Sequence, residues 1–303
     1  MNGTIAEPAP ARYASVTQFM FFSEPAFMPE LPEVETVRRG LVPVLEGAVL
    51  VKVTAFRPDL RFPLPPDLAA RMTGRTIISV ERRAKYLLMR LSGDLVMLSH
   101  LGMSGRYRVY KDAPPPLEPH DHLELVTDRG VTIRYNDPRR FGFIDVFDVA
   151  EMPTQKFLAG LGPEPLSNAF DGPALALGLG ARRSAIKVAI LDQRVVAGVG
   201  NIYASEALFR AGISPKRMAR TVKGQRAARL AEAIRNVLND AIAAGGSSLR
   251  DHRQTSGELG YFQHSFAVYG RGGEKCPGCD CEDGIRQVVQ SGRSTFYCAK
   301  RQR

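Results

Sequence analysis

Met28-Pro29-Glu30-Leu31-Pro32-Glu33-Val34-Glu35 sets the reading of the whole chain, because Met before Pro is readily removed and its loss leaves a secondary amine on Pro29. A chain-end amine titrates at ~7.7–8, so a useful fraction is unprotonated at neutral pH and attacks electrophilic carbon. Glu30 is then held by the chain itself beside that nucleophile, ready to donate or accept a proton. Residues 1–27 mix Pro, Ala and Phe without a period, and if retained they turn the Pro29 nitrogen into an inert tertiary amide. Met28 is therefore expected to be the functional start, with 1–27 an extension absent from the active protein.

Outward from this stretch, Val34, Val37 and Leu41 recur at helical spacing from about Glu33, and the pattern then changes to period two at Val49, Val51 and Val53. Further strands are expected over Ile77–Val80, Tyr86–Leu91, Leu95–Ser99, Tyr107–Tyr110, His122–Val126, Val131–Tyr135 and Phe143–Phe147, with Ser92-Gly93-Asp94 and Asp128-Arg129-Gly130 as turns. Many short strands with tight connections indicate an antiparallel sandwich. Pro163-Glu164-Pro165 breaks the pattern and reads as a domain linker. From Arg182 to Ala244 the chain is expected to be helical, its apolar face of Leu230, Ile234, Val237, Leu238, Ala241 and Ile242 ending at Gly245-Gly246. Residues 245–265 are expected to be a mobile loop, and the final 38 residues a β-hairpin bearing the cysteines.

A chain of 303 residues, 44% hydrophobic and 24% charged, suits about two globular domains with a real core. Its formal charge of +10 points to a polyanionic partner, since Lys and Arg gain affinity by releasing counterions from phosphate. Cysteines fall only at 276, 279, 281 and 298, and such clustering favours a metal knuckle over a disulfide framework. No apolar run reaches the ~18 residues of a membrane span. Phe19-Met20-Phe21-Phe22 is too short, and lacks the basic flank, for a signal peptide.

Four further constellations carry little alone. Arg82-Arg83-Ala84-Lys85-Tyr86-Leu87 reads as a solvated charge run, and by composition Met103 and Phe141 are core residues. Yet His100-Leu101-Gly102-Met103-Ser104-Gly105 and Tyr135-Asn136-Asp137-Pro138-Arg139-Arg140-Phe141-Gly142 are turn-like, and an apolar tip on an exposed turn needs a reason. Pro119-His120-Asp121-His122 is a weak metal signal. Val196-Ala197-Gly198-Val199-Gly200-Asn201-Ile202-Tyr203-Ala204 allows close backbone approach before a helix whose N-terminal amides suit an anion.

In this order, from Met28 to Arg303, these motifs resemble the bacterial formamidopyrimidine-DNA glycosylase family, which removes 8-oxoguanine and ring-opened purines. The resemblance implies an α+β fold: an N-terminal antiparallel β-sandwich domain with a flanking helix over 29–160, a helix–two-turn–helix domain over 161–265, and a zinc-finger-like β-hairpin over 266–303. It implies attack by Pro29 on sugar C1′, proton donation by Glu30 to the opening ring, and a Schiff base leading to strand cleavage. Lys85 matches a lysine serving elimination, and Arg293 a phosphate-binding arginine of the hairpin. Enzymes that act on a base flip it from the stack, and apolar wedges fill the gap. Met103, Arg139 and Phe141 take those roles by resemblance, with Arg139 facing the orphaned cytosine. His120, Asn201 and, on the helix before Asn201, Arg182, Arg183 and Lys187 become DNA contacts.

At the hairpin the sequence departs from the family pattern, because Cys298-Ala299-Lys300-Arg301-Gln302 places Arg301 where a fourth cysteine is usual. Arg cannot bind zinc. All four of Cys276, Cys279, Cys281 and Cys298 serve if Cys279 and Cys281 both turn inward; otherwise three Cys with water or a nearby His remain. One structural zinc, a duplex carrying oxidised bases as partner, a monomeric state and a cytoplasmic, nucleoid-associated location follow as expectations. Two rival readings stand: an endonuclease VIII-like enzyme for oxidised pyrimidines, and a non-catalytic damaged-DNA binder in which Pro29 stays blocked. Leu31 and the complete Asp137–Gly142 motif favour the purine branch. A zinc-finger transcription regulator is a poor fit, since no recognition helix adjoins the cysteines.

Overall fold

The computed structural model describes residues 28–247 and 260–303. The first helix, α1, spans Leu31–Leu45, with Pro32 in its first turn, where a missing N–H costs nothing. Glu33 reaches back to accept the backbone N–H of Glu30 at 2.9 Å, closing that turn. Along α1 the apolar stripe serves two cores. Leu31 packs among the helices of the C-terminal half, whereas Val34, Val37, Leu41 and Leu45 pack inside the sandwich.

The sandwich is built from β1 (Leu50–Ala55), a short helix α2 (Leu68–Met72), β2 (Ile77–Arg83), β3 (Tyr86–Leu91), β4 (Leu95–His100), β5 (Arg106–Tyr110), β6 (Asp121–Thr127), β7 (Thr132–Asn136) and β8 (Phe143–Asp148). Two four-stranded antiparallel sheets result, ordered β1-β6-β7-β5 and β2-β3-β4-β8. Inward residues such as Leu87, Met89 and Met97 fill the space between them. The opposite face of β3 and β4 is buried too, because Leu88, Val96 and Leu98 lie under Phe143, Phe147, Phe157 and Leu158.

Beyond Pro163-Glu164-Pro165 come α3 (Gly172–Leu179), α4 (Ile186–Leu191), α5 (Asn201–Arg210) and α6 (Gln225–Ala243). The continuous helical stretch expected over 182–244 is therefore interrupted, and α3 lies before it. Gly198, Gly212 and Gly224 sit at positive φ in the interruptions, a backbone state that ends a helix. The segment Val195-Val196-Ala197 is loop, yet fully buried. α5 forms the centre of this half, with Ile202 to Phe209 all buried. Ser247 pairs with Tyr261 across 248–259, so most of the expected mobile loop lies outside the described residues. β9 (Arg286–Gln290) and β10 (Arg293–Tyr297) form the C-terminal hairpin, joined by Ser291 and Gly292, both at positive φ as a two-residue hairpin turn requires.

Candidate active site

The seam between the two halves is fastened at the start of α1. Leu31 N–H donates to Gly198 O at 3.1 Å, and Glu30 Oε1 accepts the N–H of Ile202 at 3.0 Å, at the N-terminus of α5. Only glycine fits beside it, since a Cβ at 200 would stand 2.3 Å from the Glu30 carboxyl carbon. Glu30 is almost wholly buried, and its Oε2 has no hydrogen-bond partner among the described residues. Burial pushes its carboxyl up to about 7, opposed by the nearby Lys85 charge and by the amides of α5. Lys85 is pushed down by its own desolvation, while Glu30 holds it up. Glu30, Lys85, Met103, Asn201, Tyr269 and Arg293 line one cavity of about 280 Å³, with Met28 at its edge. Pro29 is buried next to it. The expected catalytic set is thus brought together from both halves of the chain.

Around Lys85 the supposed solvated run faces inward. Arg82 bonds Glu35 and Glu164 at 3.1 and 2.9 Å, Arg83 bonds Glu164 at 2.8 Å, and the Ala84 N–H also donates to Glu164. Ala84 sits at φ 54°, so the linker carboxylate holds the strained turn that presents Lys85. Glu33 was overlooked by the sequence reading. Fully buried, it accepts from Tyr203 Oη at 2.6 Å, from the N–H and Oγ of Ser247 at 2.9 and 3.0 Å, and from Glu30 N–H. A carboxylate three residues after Glu30 is a capping-box spacing, a signal available in the sequence.

The apolar tips lie at the mouth. Phe141 is exposed, the Arg139 guanidinium rests 5.0 Å from its ring centroid, and Met103 and Phe141 line an adjoining cavity of about 420 Å³. His120 is exposed at φ 73°. His122 Nε2 is hydrogen-bonded to Asp137 O at 2.9 Å.

In the helical half the structure corrects the expected placement of Arg182, Arg183 and Lys187. Arg182 and Arg183 lie in the loop before α4 rather than on a helix, with Arg182 paired to Asp192 at 3.2 Å and Arg183 exposed. Lys187 is not on the surface. It is 1% exposed, and its Nζ donates to Asn201 Oδ1, Ser294 O and Thr295 Oγ1 at 2.7, 2.8 and 2.8 Å. Burial pushes its amine down to about 7, while three acceptors match the three donors of the ammonium. Lys187 therefore ties α4, α5 and β10 together and cannot reach phosphate. Asn201 also donates to Ser294 O at 3.1 Å while lining the cavity.

The ligating sulfurs of Cys276, Cys279, Cys281 and Cys298 all lie within 4.8 Å of one another. Cys279 and Cys281 each stand 3.5 Å from Cys298, close to the ~3.8 Å separation that tetrahedral Zn–S bonds of ~2.3 Å produce. The donor set fits zinc. The expected shortage of a fourth ligand is not borne out, because Cys281 turns inward to complete the set. Arg301 points away instead, its guanidinium 4.9 Å from the Phe209 ring centroid and bonded to Gly278 O at 3.1 Å.

A β-sandwich and a helix–two-turn–helix half that close over a buried acid and lysine, with a cysteine hairpin completing the cleft, define a distinct class of two-domain enzyme. The formamidopyrimidine-DNA glycosylase N-terminal domain matches residues 28–144, and the formamidopyrimidine-DNA glycosylase H2TH domain matches 161–253. The formamidopyrimidine-DNA glycosylase of Rhodospirillum centenum is 59% identical over 290 residues, covering 91% of this chain and 100% of that protein. That of Rhodospirillum rubrum is 57% identical over 283 residues, covering 91% and 100%. Among solved structures, the MutM (Fpg) protein of Thermus thermophilus superposes with a TM-score of 0.80 at 42% identity, covering 90% of this chain and 98% of that one. Lactococcus lactis Fpg bound to DNA containing N7-benzyl-Fapy-dG gives 0.81 at 35% identity, covering 91% and 100%. The chain belongs to the formamidopyrimidine-DNA glycosylase family.

Proposed function

We propose that this protein is a base-excision DNA glycosylase for oxidised purines, 8-oxoguanine and formamidopyrimidines, that also cleaves the strand at the abasic site it creates. The observation that carries the reading is Glu30: a buried carboxyl near 7, anchored on α5 and facing Lys85 beside Pro29. The free Pro29 amine attacks C1′ of the lesion nucleotide, the glycosidic bond breaks, and the base leaves with its electron pair and takes up the proton that the amine gives up. Glu30, which a pKa near 7 keeps substantially protonated, delivers a proton to the ring oxygen as the sugar opens to an iminium on Pro29. Loss of a C2′ proton then expels the 3′-phosphate, with Lys85 the proton carrier and Arg293 steadying the phosphate. Met103, Arg139 and Phe141 fill the gap left by the flipped base, and His120, Asn201, Arg182 and Arg183 meet the backbone.

Zinc held by Cys276, Cys279, Cys281 and Cys298 supplies rigidity to the hairpin that carries Arg293. A monomer suffices, because every named group comes from one chain, and the cytoplasmic nucleoid is where its substrate lies. Functional domains follow 29–160, 161–265 and 266–303, with 1–27 absent from the active form; the family match beginning at residue 28 supports this.

The test is borohydride trapping with a duplex carrying 8-oxoguanine opposite cytosine. Protein starting at Pro29 is expected to give a covalent adduct mapping to Pro29, and protein retaining residues 1–28 none. Tight binding without an adduct from the Pro29 form would overturn the reading in favour of a non-catalytic damaged-DNA binder. Lactococcus lactis Fpg has also been solved with DNA containing an oxidised pyrimidine, which makes that duplex the comparison for substrate preference.

A further inference from the structure

The turns carrying Met103 and Arg139-Phe141 join different strand pairs, β4 to β5 and β7 to β8, and nothing in their sequences requires them to move together. In the structure they are locked. Ser104 Oγ–H donates to Asp137 Oδ1, and the same oxygen accepts the Arg139 N–H at 3.0 Å. Asp137 Oδ2 accepts the N–H of Gly142 at 2.8 Å and the Tyr135 hydroxyl at 3.4 Å. Behind them, the Gly102 N–H donates to His100 Nδ1 at 3.0 Å, and the two turns touch so closely that a Cβ on Gly102 would stand 2.3 Å from Gly142 N. Ser104 is 7% exposed and Asp137 not at all, so water does not compete for these bonds.

We infer that Ser104 and Asp137 are positioning residues for base extrusion: one hydroxyl and one buried carboxylate fix the spacing between the Met103 tip and the Arg139-Phe141 tip. Neither residue lines the cavity that holds Glu30 and Lys85. The inference rests on the proposed glycosylase activity. Extruding a stacked base costs a few kcal/mol, least where the base is already missing, so a loosened clamp slows removal of a paired lesion while sparing a ready-made abasic site. Removing the Ser104 hydroxyl leaves the Arg139 N–H without its acceptor and frees one oxygen of Asp137.

Ser104→Ala and Ser104→Thr are compared with the parent protein starting at Pro29. Excision of 8-oxoguanine opposite cytosine is expected to fall ten- to a hundredfold in Ser104→Ala, mostly in kcat. Cleavage of a preformed abasic duplex is expected to change less than threefold. The rise in fluorescence of 2-aminopurine beside the lesion should slow in parallel. Ser104→Thr, which keeps the hydroxyl, should restore at least a third of the lost rate. Equal loss on both duplexes, or no loss on either, overturns the inference. If the parent itself acts on neither duplex, the glycosylase reading fails instead.

Discussion

Glu30 stores an unfavourable state on which its chemistry depends. Its carboxyl is lifted to about 7 by burial, above the 4.5 it has when exposed, so the folded state holds that proton more tightly than the unfolded chain does. The corresponding stability is fully present below pH 4.5, is lost as pH rises to about 7, and is gone at pH 8. The difference is on the order of 3 kcal/mol. Glu30→Gln keeps the bond to Ile202 and cannot ionise, so the variant is expected to melt at least 2 °C above the parent at pH 8 and at the same temperature at pH 4.5. Lys85 loses its carboxylate partner in the variant, which trims the gain. Melting curves at both values check this, on protein retaining Met28 so that no Pro29 ammonium perturbs the group. In the Pro29 form the same substitution should reduce base excision by a hundredfold or more. A gain of equal size at both pH values would mean that Glu30 is ionised in the fold.

A two-stranded hairpin is marginal on its own, and the fastenings of β9-β10 include the Lys187 and Asn201 bonds, the packing of Phe296 with Phe209, Val268 and Ile285, and the cysteine cluster. Cys281→Ser is expected to lower bound zinc well below one per chain and to weaken binding of an abasic duplex about tenfold through a less ordered Arg293, with the fold retained. Arg301→Cys should bind the same zinc as the parent, since four thiols already converge. Metal analysis and a binding titration check both, and undiminished zinc in Cys281→Ser would remove Cys281 from the ligand set. The strands were legible because short apolar runs bounded by Gly- and Asp-containing turns stand out in the sequence, and each expected strand overlaps an observed one with its ends within three residues. α1 and the apolar face of α6 were legible individually, but the helices between them only as a region. Val195-Val196-Ala197 is an apolar loop as deeply buried as α5, and a pattern of apolar residues cannot separate buried loop from buried helix. Lys187 was misread for a related reason: its acceptors Ser294 and Thr295 lie over a hundred residues later in the chain, so no local pattern announces its burial.

Both halves of the protein converge on α1, which contributes Leu31 to one core and Val34, Val37 and Leu41 to the other. The octapeptide therefore supplies the proposed catalytic end and the seam at once, an arrangement that the expected boundary at 160 does not contain. Among the described residues the polar contacts across the seam include Leu31 to Gly198, Glu30 to Ile202, Glu33 to Tyr203 and Ser247, Arg83 to Leu161 and Gly162, and Arg82, Arg83 and Ala84 to Glu164. Gly200 is the point where the seam has no slack. A methyl group there would stand 2.5 Å from Glu30 Oε1, so either the carboxylate swings off the N-terminus of α5 or the two halves separate slightly. Overpacking of this kind costs about 1–3 kcal/mol. Gly200→Ala is accordingly expected to lower the melting temperature by a few degrees and to cut 8-oxoguanine excision at least a hundredfold, because the acid is displaced from the ring oxygen that it is proposed to protonate. Duplex binding should fall far less than excision, since among the proposed DNA contacts only Asn201 adjoins Gly200. Thermal melts, single-turnover excision and a binding titration on the same preparation separate these effects. Excision within threefold of the parent would show that the seam yields without moving Glu30, and that the closeness of Gly200 serves packing alone.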